Sequence, residues 1–546
     1  MMKRVPMKTY EDAYTDFSWR PPQNFNFGGD VVDHYATKDP NKLALVCCDE
    51  SGAEKRFTFS DISRLTNRFA NLLQSYGVGK GDRVVICLPR ISQWQIAMVG
   101  CFKLGAIPVP CIQMLAEKDI TFRIEHSGAV AVVTTAANVE KFIAARDFTA
   151  RFCVGEADGW RDLDDAMAAC PETFDPVALE AEEPAALYYT SGSTGNPKGV
   201  TMAARGLFAW RVSAWYWQAF TEDDLVWCTA DTGWAKAGTG VLFGPWSCGS
   251  AALFYDGGFD AKTRFELMSR HGVTVFCGPA TEMRRLISED ASGYDLSALR
   301  LAVSAGETVN PEVVKRWQQS TGTPLLDGYG QTETLMTILN YPPMPVKPGS
   351  MGKPCPGTEI AILDDRNGLL GPNETGNLAI GLATPGMMLG YWREPERTAE
   401  SKVTVEGIDY FLTGDLAYVD EDGYVFYEGR ADDLINSAGY RIGPMEVENA
   451  LISHPAVQEC AAVPSPDPDR GEVVKAFIIL QPGYSESDEL VKDLQEHAKR
   501  MTAPYKYPRK IAFVPDLPKS AVGKIQRRVL RDREYATLRT NRNVEA

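Results

Sequence analysis

The chain has 546 residues, of which 44% are hydrophobic and 23% are charged, the composition of an ordinary globular protein. Its formal net charge of −16 excludes a general attraction to nucleic acid or anionic membranes, so any anion-binding site must be built locally. No run approaches the roughly 18 consecutive apolar residues of a membrane-spanning helix.

The cysteines and the N-terminal segment predict a cytoplasmic location. Twelve cysteines are scattered without a C-x-x-C pair or histidines at zinc spacing, which indicates free thiols in a reducing compartment. The first 17 residues contain no apolar segment and turn acidic by Glu11. We therefore expect neither a signal peptide nor a transit peptide.

In chain order, strand-like and helix-like runs alternate up to about residue 430. Residues 82–89 (DRVVICLP) are a β-rich apolar run, residues 92–105 have helical spacing, and residues 106–112 are extended again. This β-α-β pattern predicts a parallel sheet with helices on its faces. A later helix is predicted with Asn310 as N-cap and Pro311 at its first position. Further strands are predicted within residues 129–135, 272–278 and 299–307.

Near residue 430 the pattern changes. Asp422-Gly423 predicts a hairpin, residues 443–455 (GPMEVENALISHP) are helical with acidic residues near the start, and EVVKAFIILQ is a clear strand. We predict an α/β fold with a large N-terminal domain over residues 1–431 and a small, mobile α+β domain over residues 432–546.

The first motif with a chemical meaning is TSGSTGNPKG, residues 190–199, which follows the strand-like run AALYYT. A glycine-rich loop after a strand exposes backbone N–H groups that can cradle phosphate oxygens. It is not a Walker A loop, because Gly-Lys-Ser/Thr is absent. The predicted phosphate contacts are Thr190, Ser191, Gly192, Ser193, Thr194, Gly195 and Lys198, with Thr194 also given a catalytic role.

This string resembles the phosphate loop of the adenylate-forming enzymes, which include acyl-CoA synthetases, luciferases and the adenylation domains of peptide synthetases. The segment DGYGQTET, residues 327–334, is similar to a second motif of that family. The resemblance implies that Tyr329 lies against adenine, Thr332 contacts the adenylate phosphate and Glu333 holds Mg²⁺; an aromatic plate suits a purine and a carboxylate suits a hard cation. It places Asp327, Gly328 and Gln331 in the same nucleotide site.

Further motifs follow in the family's order. SAGETV resembles the adenine-contacting loop, with Gly306, Glu307 and Thr308 at a strand end. The resemblance places Asp415 of FLTGDLAY and Arg430 of EGRADD on the ribose. It makes Asp432 the hinge about which the small domain rotates.

Beyond the predicted hinge, two motifs are implied to serve different half-reactions. NSAGYRIGPMEVE would place Gly439 at the thioester-stage tunnel and Arg441 at a phosphate, with Tyr440 as a further cofactor-binding residue. Lys524, in LPKSAVGKIQRRVL, would stabilise charge on the carboxylate and α-phosphate during adenylation. The small domain is most similar to the medium-chain acyl-CoA synthetases.

The implied substrates are a carboxylic acid, Mg²⁺-ATP and coenzyme A, with no nucleic acid, no membrane span and possible assembly of identical chains. Residues 229–246 are similar to the acyl-pocket segment, with Trp234 as a wall and space at Gly238, Thr239 and Gly240. Family members that activate acetate close the acyl pocket with a tryptophan before the Gln-Thr-Glu segment, where this chain has Gly328-Tyr329-Gly330. The resemblance therefore implies an open pocket floor and a medium-length, branched or aromatic acid. The sequence allows two positions for the Lys236 side chain: it faces solvent, or it contacts a polar group of the substrate or of the pantetheine arm.

Three other functions stay open. An amino-acid adenylation domain would normally have an aspartate in the pocket segment and an attached carrier domain, and we expect no carrier domain after Ala546. A fatty acyl-AMP ligase would have an inserted segment before the hinge, and none is evident. A catalytically silent nucleotide- or acyl-binding protein would tolerate loss of Lys524 or Glu333, and both are present.

Overall fold

A computed structural model describes residues 4, 6–190, 197–307, 309–437, 440–467, 470–502, 505–519 and 525–544, with only the backbone for residues 432, 436, 440, 441 and 537–544. Two compact units make up the chain. One comprises Met1–Glu359 with Ile380–Phe411, and the other comprises Ile360–Ala379 with Leu412–Ala546.

The described strands are as follows: β1 Leu43–Asp49, β2 Glu54–Thr58, β3 Arg83–Ile86, β4 Ile107–Pro110, β5 Ala131–Thr135, β6 Ala150–Val154, β7 Arg161–Asp162, β8 Pro184–Thr190, β9 Lys198–Ala203, β10 Leu225–Cys228, β11 Ala251–Asp256, β12 Val275–Cys277, β13 Leu301–Ala305, β14 Leu325–Gln331, β15 Leu335–Leu339, β16 Ser350–Pro354, β17 Ile360–Leu363, β18 Gly376–Gly381, β19 Gly390–Tyr391, β20 Lys402–Val405, β21 Ile408–Val419, β22 Val425–Arg430, β23 Ile435–Ser437, β24 Tyr440–Ile442, β25 Val457–Asp467, β26 Gly471–Leu480 and β27 Lys510–Phe513.

The described α-helices are as follows: α1 Tyr10–Asp16, α2 His34–Lys38, α3 Phe59–Ser75, α4 Ser92–Leu104, α5 Glu117–Ser127, α6 Leu163–Ala168, α7 Ala204–Tyr216, α8 Ala235–Ala237, α9 Phe243–Ser247, α10 Ala261–His271, α11 Ala280–Leu286, α12 Pro311–Thr321, α13 Pro395–Glu400, α14 Pro444–Ile452, α15 Asp488–Met501 and α16 Arg527–Val544. Short 3₁₀-helices cover Ala136–Ala145, Ala291–Gly293 and Ala431–Asp433, and π-helices cover Gly28–Asp33 and Gly238–Leu242.

The main sheet of the first unit runs in the order β16-β15-β14-β13-β12-β10-β11-β1-β2. Its central strands, from β14 to β1, are parallel, whereas β2, β15 and β16 pair in antiparallel fashion. The strands predicted within residues 272–278 and 299–307 are confirmed as β12 and β13. Since parallel strands end at one edge, the segments that follow β12 and β13 lie side by side.

A second parallel sheet has the order β4-β3-β5-β6-β7. It confirms the predicted β-α-β unit: β3 and β4 are neighbours, with Arg83 opposite Ile107, and α4 connects them. Helix α4 is buried over nearly its whole length and ends at Gly105, whose φ of +75° is the left-handed conformation that closes such helices. A third small sheet joins the β8–β9 hairpin to β19.

Local sequence signals explain where the helices begin. Thr58 and Asp61 form a capping box at the start of α3, each side chain accepting a backbone N–H of the other. Asn310 caps α12 by accepting from the N–H of Glu312, and Pro311 occupies its first turn, as predicted. Tryptophans dominate the interior of this unit; among those fully buried are Trp94, Trp210, Trp217, Trp227, Trp246 and Trp317.

The second unit contains β17, β22 and the larger parts of β18 and β21, and these strands are neighbours in the order β17-β18-β21-β22. The predicted hairpin is confirmed as β21–β22, with Gly423 at a φ of +81° in its turn. Another sheet runs β24-β23-β26-β25 with β27 beside β26, and its core includes Val447, Leu451 and Ile478. The predicted helix and strand in this region are α14 and β26.

The structure confirms the predicted fold class, large α/β sheets followed by a small α+β region. Within the described residues, no helix combines the length and apolar character needed to cross a membrane. All twelve cysteines carry free thiols. The predicted division at residues 431 and 432, with rotation about Asp432, stays a prediction.

Candidate active site

The described ends of the phosphate-loop motif are the last residue of β8 and the first of β9. Thr190 and Lys198 face each other across this antiparallel pair. The preceding Tyr189 has its hydroxyl 2.9 Å from Nδ1 of His126, and burial raises the pKa of that tyrosine. The loop itself, residues 191–196, lies outside the described residues.

Lys236 is held at the edge where parallel strands end. Its Nζ donates to the carbonyl oxygen of Ala305 at 2.8 Å and, more weakly, to that of Gly278 at 3.4 Å. Gly278 directly follows β12, and Ala305 is the last residue of β13. The predicted adenine loop begins with the next two residues, Gly306 and Glu307. The half-buried ammonium has no carboxylate partner among the described residues. Lys236 therefore fastens the predicted acyl-pocket segment to the predicted nucleotide segment.

Asp327 closes the other end of the adenine loop. Its carboxylate accepts hydrogen bonds from the backbone N–H groups of Gly328 at 2.9 Å and Val309 at 3.2 Å. Burial raises the pKa of Asp327 to about 7, against the opposing effects of those N–H donors and of the Lys236 ammonium. Gly306 has a φ of +87°, which favours glycine at this bend. Thr308 lies outside the described residues.

A tight turn follows β14 and presents the QTE residues. The N–H of Thr334 donates to the carbonyl of Gln331, while Thr334 Oγ1 accepts from the N–H of Gln331. A Cβ at Gly330 would lie 2.0 Å from the carbonyl oxygen of Leu335, so only glycine fits. Leu335 itself has a φ of +57°, a strained conformation for this residue type. The turn leaves Tyr329 and Thr332 half-buried at the surface of the unit.

Glu333 lies in this turn, and its carboxylate is nearly buried, with the residue 8% exposed. Glu333 Oε1 accepts a hydrogen bond from the hydroxyl of Tyr391 at 3.1 Å. In the part of the chain described, Oε2 has no hydrogen-bond donor, and no lysine or arginine pairs with the carboxylate. The Lys198 ammonium lies 5.1 Å from the ring centroid of the same tyrosine. Tyr391 thus connects the phosphate-loop lysine to the predicted metal ligand.

Tyr391 was not among the residues predicted from sequence. It lies on the two-residue strand β19, opposite Val200 of β9. The surrounding segment, MMLGYW, has no hydrophobic periodicity and no cluster of polar residues that would indicate a site. Only the pairing of β19 with β9 shows that Tyr391 lies close to the phosphate-loop motif.

The predicted acyl-pocket segment is a short helix, α8, followed by a π-helix and α9. Trp234 is half-buried at its start, and Thr239 Oγ1 accepts from the indole N–H of Trp210 at 2.7 Å. The glycines here serve close packing. A Cβ at Gly238 would lie 2.6 Å from Phe243 Cδ2, and one at Gly240 would lie 2.4 Å from Cys228 Cβ.

The same holds for Gly328, which the sequence predicted as an open pocket floor. A Cβ there would lie 2.8 Å from Leu339 Cδ2 and 3.0 Å from both Met336 Cε and Trp217 Cε2. The volume beside Gly328 is therefore filled by these side chains. Trp217 was missed by the sequence analysis because it is distant in the chain and lies just beyond the end of α7. A role for Gly328 in substrate binding stays a prediction.

In the second unit, the structure brings together the two residues predicted to hold the ribose. Arg430 Nη1 donates to Asp415 Oδ1 at 2.9 Å and to the carbonyl of Thr413 at 3.2 Å, because the two residues are direct partners on β21 and β22. Tyr427, also unpredicted, approaches Asp415 Oδ1 with its hydroxyl at 3.5 Å. Burial raises the pKa of this tyrosine.

Other predicted site residues cannot be placed. Tyr440 and Arg441 lie on β24, with the backbone alone described. The remaining ones lie outside the described residues: Ser191, Gly192, Ser193, Thr194, Gly195, Thr308, Gly439 and Lys524. Their roles stay predictions.

Comparison with known proteins decides the family. The profile of the AMP-binding enzyme family matches residues 32–392, and that of the AMP-binding enzyme C-terminal domain matches residues 446–524. The chain belongs to the AMP-binding enzyme family. The first match spans Lys198, Glu333 and Tyr391. The predicted resemblance to the adenylate-forming enzymes is confirmed.

The individual relatives of this AMP-binding enzyme are acyl-CoA synthetases and CoA ligases. The mouse mitochondrial acyl-coenzyme A synthetase ACSM3 is 39% identical over 97% of this chain and 94% of its own length. The uncharacterized acyl-CoA ligase YtcI of Bacillus subtilis is 41% identical over 90% and 93%. The crystal structure of the anthranilate CoA ligase AuaEII with anthranoyl-AMP superposes with a TM-score of 0.86, at 31% identity, covering 94% and 98%. That of the Brucella canis acyl-CoA synthetase has a TM-score of 0.74, at 35% identity, covering 97% and 99%. These relatives confirm the predicted enzyme class, an AMP-forming acid–thiol ligase.

Proposed function

We propose that this enzyme is an acyl-CoA synthetase for medium-chain, branched or aromatic carboxylic acids. In the first step the acid's carboxylate attacks the α-phosphorus of ATP, and pyrophosphate leaves. In the second, the sulfur of coenzyme A attacks the acyl carbonyl of the adenylate, and AMP leaves. The observation that carries the proposal is the arrangement around Tyr391: its hydroxyl donates to Glu333, which has no cationic partner among the described residues, and the Lys198 ammonium lies over its ring.

The first step brings two anions together, so catalysis rests on neutralising charge and aligning the reactants. Lys198 supplies positive charge at the phosphate loop, and Lys524 is proposed to do so at the reacting carboxylate. Thr194 and Arg441 are proposed to contact phosphate in the two stages. The backbone of Gly306 and Glu307 and the ring of Tyr329 would hold adenine. Asp415 and Arg430 would hold the ribose.

Glu333 fits a magnesium ion. Burying a carboxylate without a cationic partner is unfavourable, and Mg²⁺ prefers oxygen donors. Among the described residues no group of three carboxylate, histidine or cysteine side chains could hold a metal by itself. We propose that phosphate oxygens and water complete the coordination of the ion. When bound, Mg²⁺ would neutralise phosphate charge and favour loss of pyrophosphate.

The second step is proposed to use another domain orientation. Rotation of residues 432–546 about Asp432 would withdraw Lys524 and bring Gly439 and Tyr440 to the site. Such a movement both excludes water and exchanges catalytic groups. The acyl group is proposed to lie near Trp234, Gly238, Thr239 and Gly328. A cytoplasmic location and self-association belong to the same proposal.

Product analysis tests this function. The protein is mixed with Mg²⁺-ATP, coenzyme A and a panel of carboxylic acids, and nucleotides and thioesters are separated by chromatography. We expect AMP, pyrophosphate and acyl-CoA in equal amounts. Formation of ADP and phosphate would contradict the proposal. Acyl-adenylate that accumulates and does not react with coenzyme A would indicate an acyl-AMP ligase instead.

A further inference from the structure

Two chain segments that are distant in sequence meet at Glu333. Its carbonyl oxygen accepts from the N–H of Met388 at 2.8 Å, and its side chain accepts from the hydroxyl of Tyr391. Tyr391 is itself fixed, because its N–H donates to Thr398 Oγ1 at 2.9 Å and the residue is only 7% exposed. The hydroxyl therefore has a defined position before any ligand arrives.

A single hydrogen bond to one carboxylate oxygen has a specific consequence. It restricts the rotation of the carboxylate, so that Oε2, which has no donor in the described part of the chain, keeps one direction. A metal ligand held in this way loses less conformational freedom when it binds a cation. The absence of an ion pair at Glu333 in the described residues leaves this oxygen available for that cation.

The ring of Tyr391 has a second contact. Lys198 lies 5.1 Å and Arg397 5.8 Å from its centroid, so the ring face supports the phosphate-loop lysine through a cation–π interaction. The hydroxyl and the ring thus act on groups of opposite charge. Substitution by phenylalanine removes the hydroxyl contact alone, and substitution by leucine removes both contacts.

We propose that Tyr391 is a positioning residue for Mg²⁺-ATP, orienting the metal-binding carboxylate of Glu333 with its hydroxyl and the ammonium of Lys198 with its ring. This inference rests on the proposed function, since it takes Glu333 as the metal ligand. Tyr391 does not touch the reacting atoms. Its effect is exerted through the two side chains that it holds.

The test is direct metal binding. The protein is titrated with the complex of Mn²⁺ and α,β-methylene ATP, a non-hydrolysable analogue. Free Mn²⁺ is measured at each step by electron paramagnetic resonance. Tyr391→Phe removes the hydroxyl and keeps the ring, and we expect it to weaken Mn²⁺ binding about tenfold, the lower end of what loss of such a supporting group costs. Binding of the metal-free nucleotide in EDTA should be unchanged in Tyr391→Phe and weaker in Tyr391→Leu, which also loses the ring.

Tyr410→Phe is the matched control. Tyr410 is 4% exposed and donates to Glu359 Oε1 at 3.2 Å, a similar tyrosine–glutamate pair away from the site. Its removal should leave Mn²⁺ affinity unchanged. Equal Mn²⁺ affinities of Tyr391→Phe and the wild type, or an equal loss in both phenylalanine variants, would overturn the role of Tyr391. A wild-type protein that forms no AMP would instead contradict the proposed function.

Discussion

Lys236 Nζ lies 2.8 Å from the carbonyl oxygen of Ala305, which joins the segment predicted to bind the acyl group to the strand that leads into the predicted adenine loop. From sequence, this lysine could have faced solvent or a polar group of a substrate. The structure assigns its ammonium to two backbone carbonyls. The two predicted subsites of the first unit are therefore mechanically connected by one side chain.

Replacing Lys236 by Met should weaken both subsites together. Methionine keeps much of the side-chain volume but leaves the carbonyls of Ala305 and Gly278 without their donor. Hydrogen bonds to charged groups contribute about 1.5–3 kcal/mol, so we expect kcat/KM to fall about tenfold or more. The KM values for ATP and for the acid should both rise in steady-state assays. Lys315→Met, on the exposed face of α12, is the control, and an unchanged KM for ATP in Lys236→Met would contradict the connection.

Gly330→Ala should disrupt the turn that presents Glu333. The added Cβ would collide with the carbonyl of Leu335 at 2.0 Å, in a turn already strained at Leu335. Backbone strain is worth about 1–3 kcal/mol, so activity should fall roughly tenfold to a hundredfold. Gly293→Ala is the control, because nothing lies within 4 Å of a Cβ there. Comparable activity of both variants would show that the turn tolerates a side chain.

Gly328→Ala should change acyl-chain preference. In the wild type, each buried methylene should contribute about 0.8 kcal/mol, or roughly fourfold in binding, until the pocket is full. The added methyl needs Leu339, Met336 or Trp217 to move, so medium-chain acids should lose more activity than acetate. The measurement is kcat/KM for straight-chain acids of two to ten carbons. A wild-type optimum at acetate, or an unchanged chain-length profile in Gly328→Ala, would contradict the proposed role of Gly328 in acyl binding.

Asp327 should make stability depend on pH. Burial raises the pKa of Asp327 from 3.8 to about 7, so the folded state binds a proton that the unfolded state has released between these values. The contribution of Asp327 to the free energy of unfolding is then fully present below about pH 4. It is lost as the pH rises to about 7, which lowers the free energy of unfolding by roughly a few kcal/mol. Relative to Asp327→Asn, the wild type should lose stability over this range in denaturant unfolding. Asp516→Asn, at an exposed carboxylate, is the control, and parallel pH curves for wild type and Asp327→Asn would refute the shift.

Lys524 and Gly439 should separate the two half-reactions. Lys524→Ala is expected to abolish adenylation but to spare thioester formation from supplied acyl-AMP. Gly439→Leu should do the reverse, because a bulky side chain would obstruct the pantetheine path. Rapid-quench assays of each half-reaction provide the measurement. Loss of the same half-reaction in both variants would rule out domain rotation.

The sequence predicted the elements well where a pattern is local. The β3-α4-β4 unit, the cap at Asn310 and the Asp422-Gly423 hairpin follow from period, capping and turn chemistry, which act over a few residues. Motif similarity assigned Asp415 and Arg430 to one ribose; the two side chains do pair across β21 and β22, and their role at a ribose stays a prediction.

Contacts that depend on tertiary pairing were not predictable in this way. Tyr391 reaches Glu333 only because β19 pairs with β9, and Lys236 reaches Ala305 only because β12 and β13 are adjacent. The glycines gave an ambiguous signal, since a missing side chain serves equally to open a pocket or to admit a neighbour. At Gly238, Gly240 and Gly328 the structure places a neighbouring side chain in that space.

The π-helix over Gly238–Leu242 has a consequence for how this enzyme can diversify. The backbone N–H of Phe243 donates to the carbonyl of Gly238, five residues earlier in the chain. This turn therefore contains one residue more than an α-helical turn. A one-residue deletion here can be absorbed by reverting to α-helical bonding while β10 and β11 keep their places. The residues retained before the deletion would then present different side chains to their surroundings. Changes of length, as well as of residue type, are therefore available in the segment that we predict to bind the acyl group.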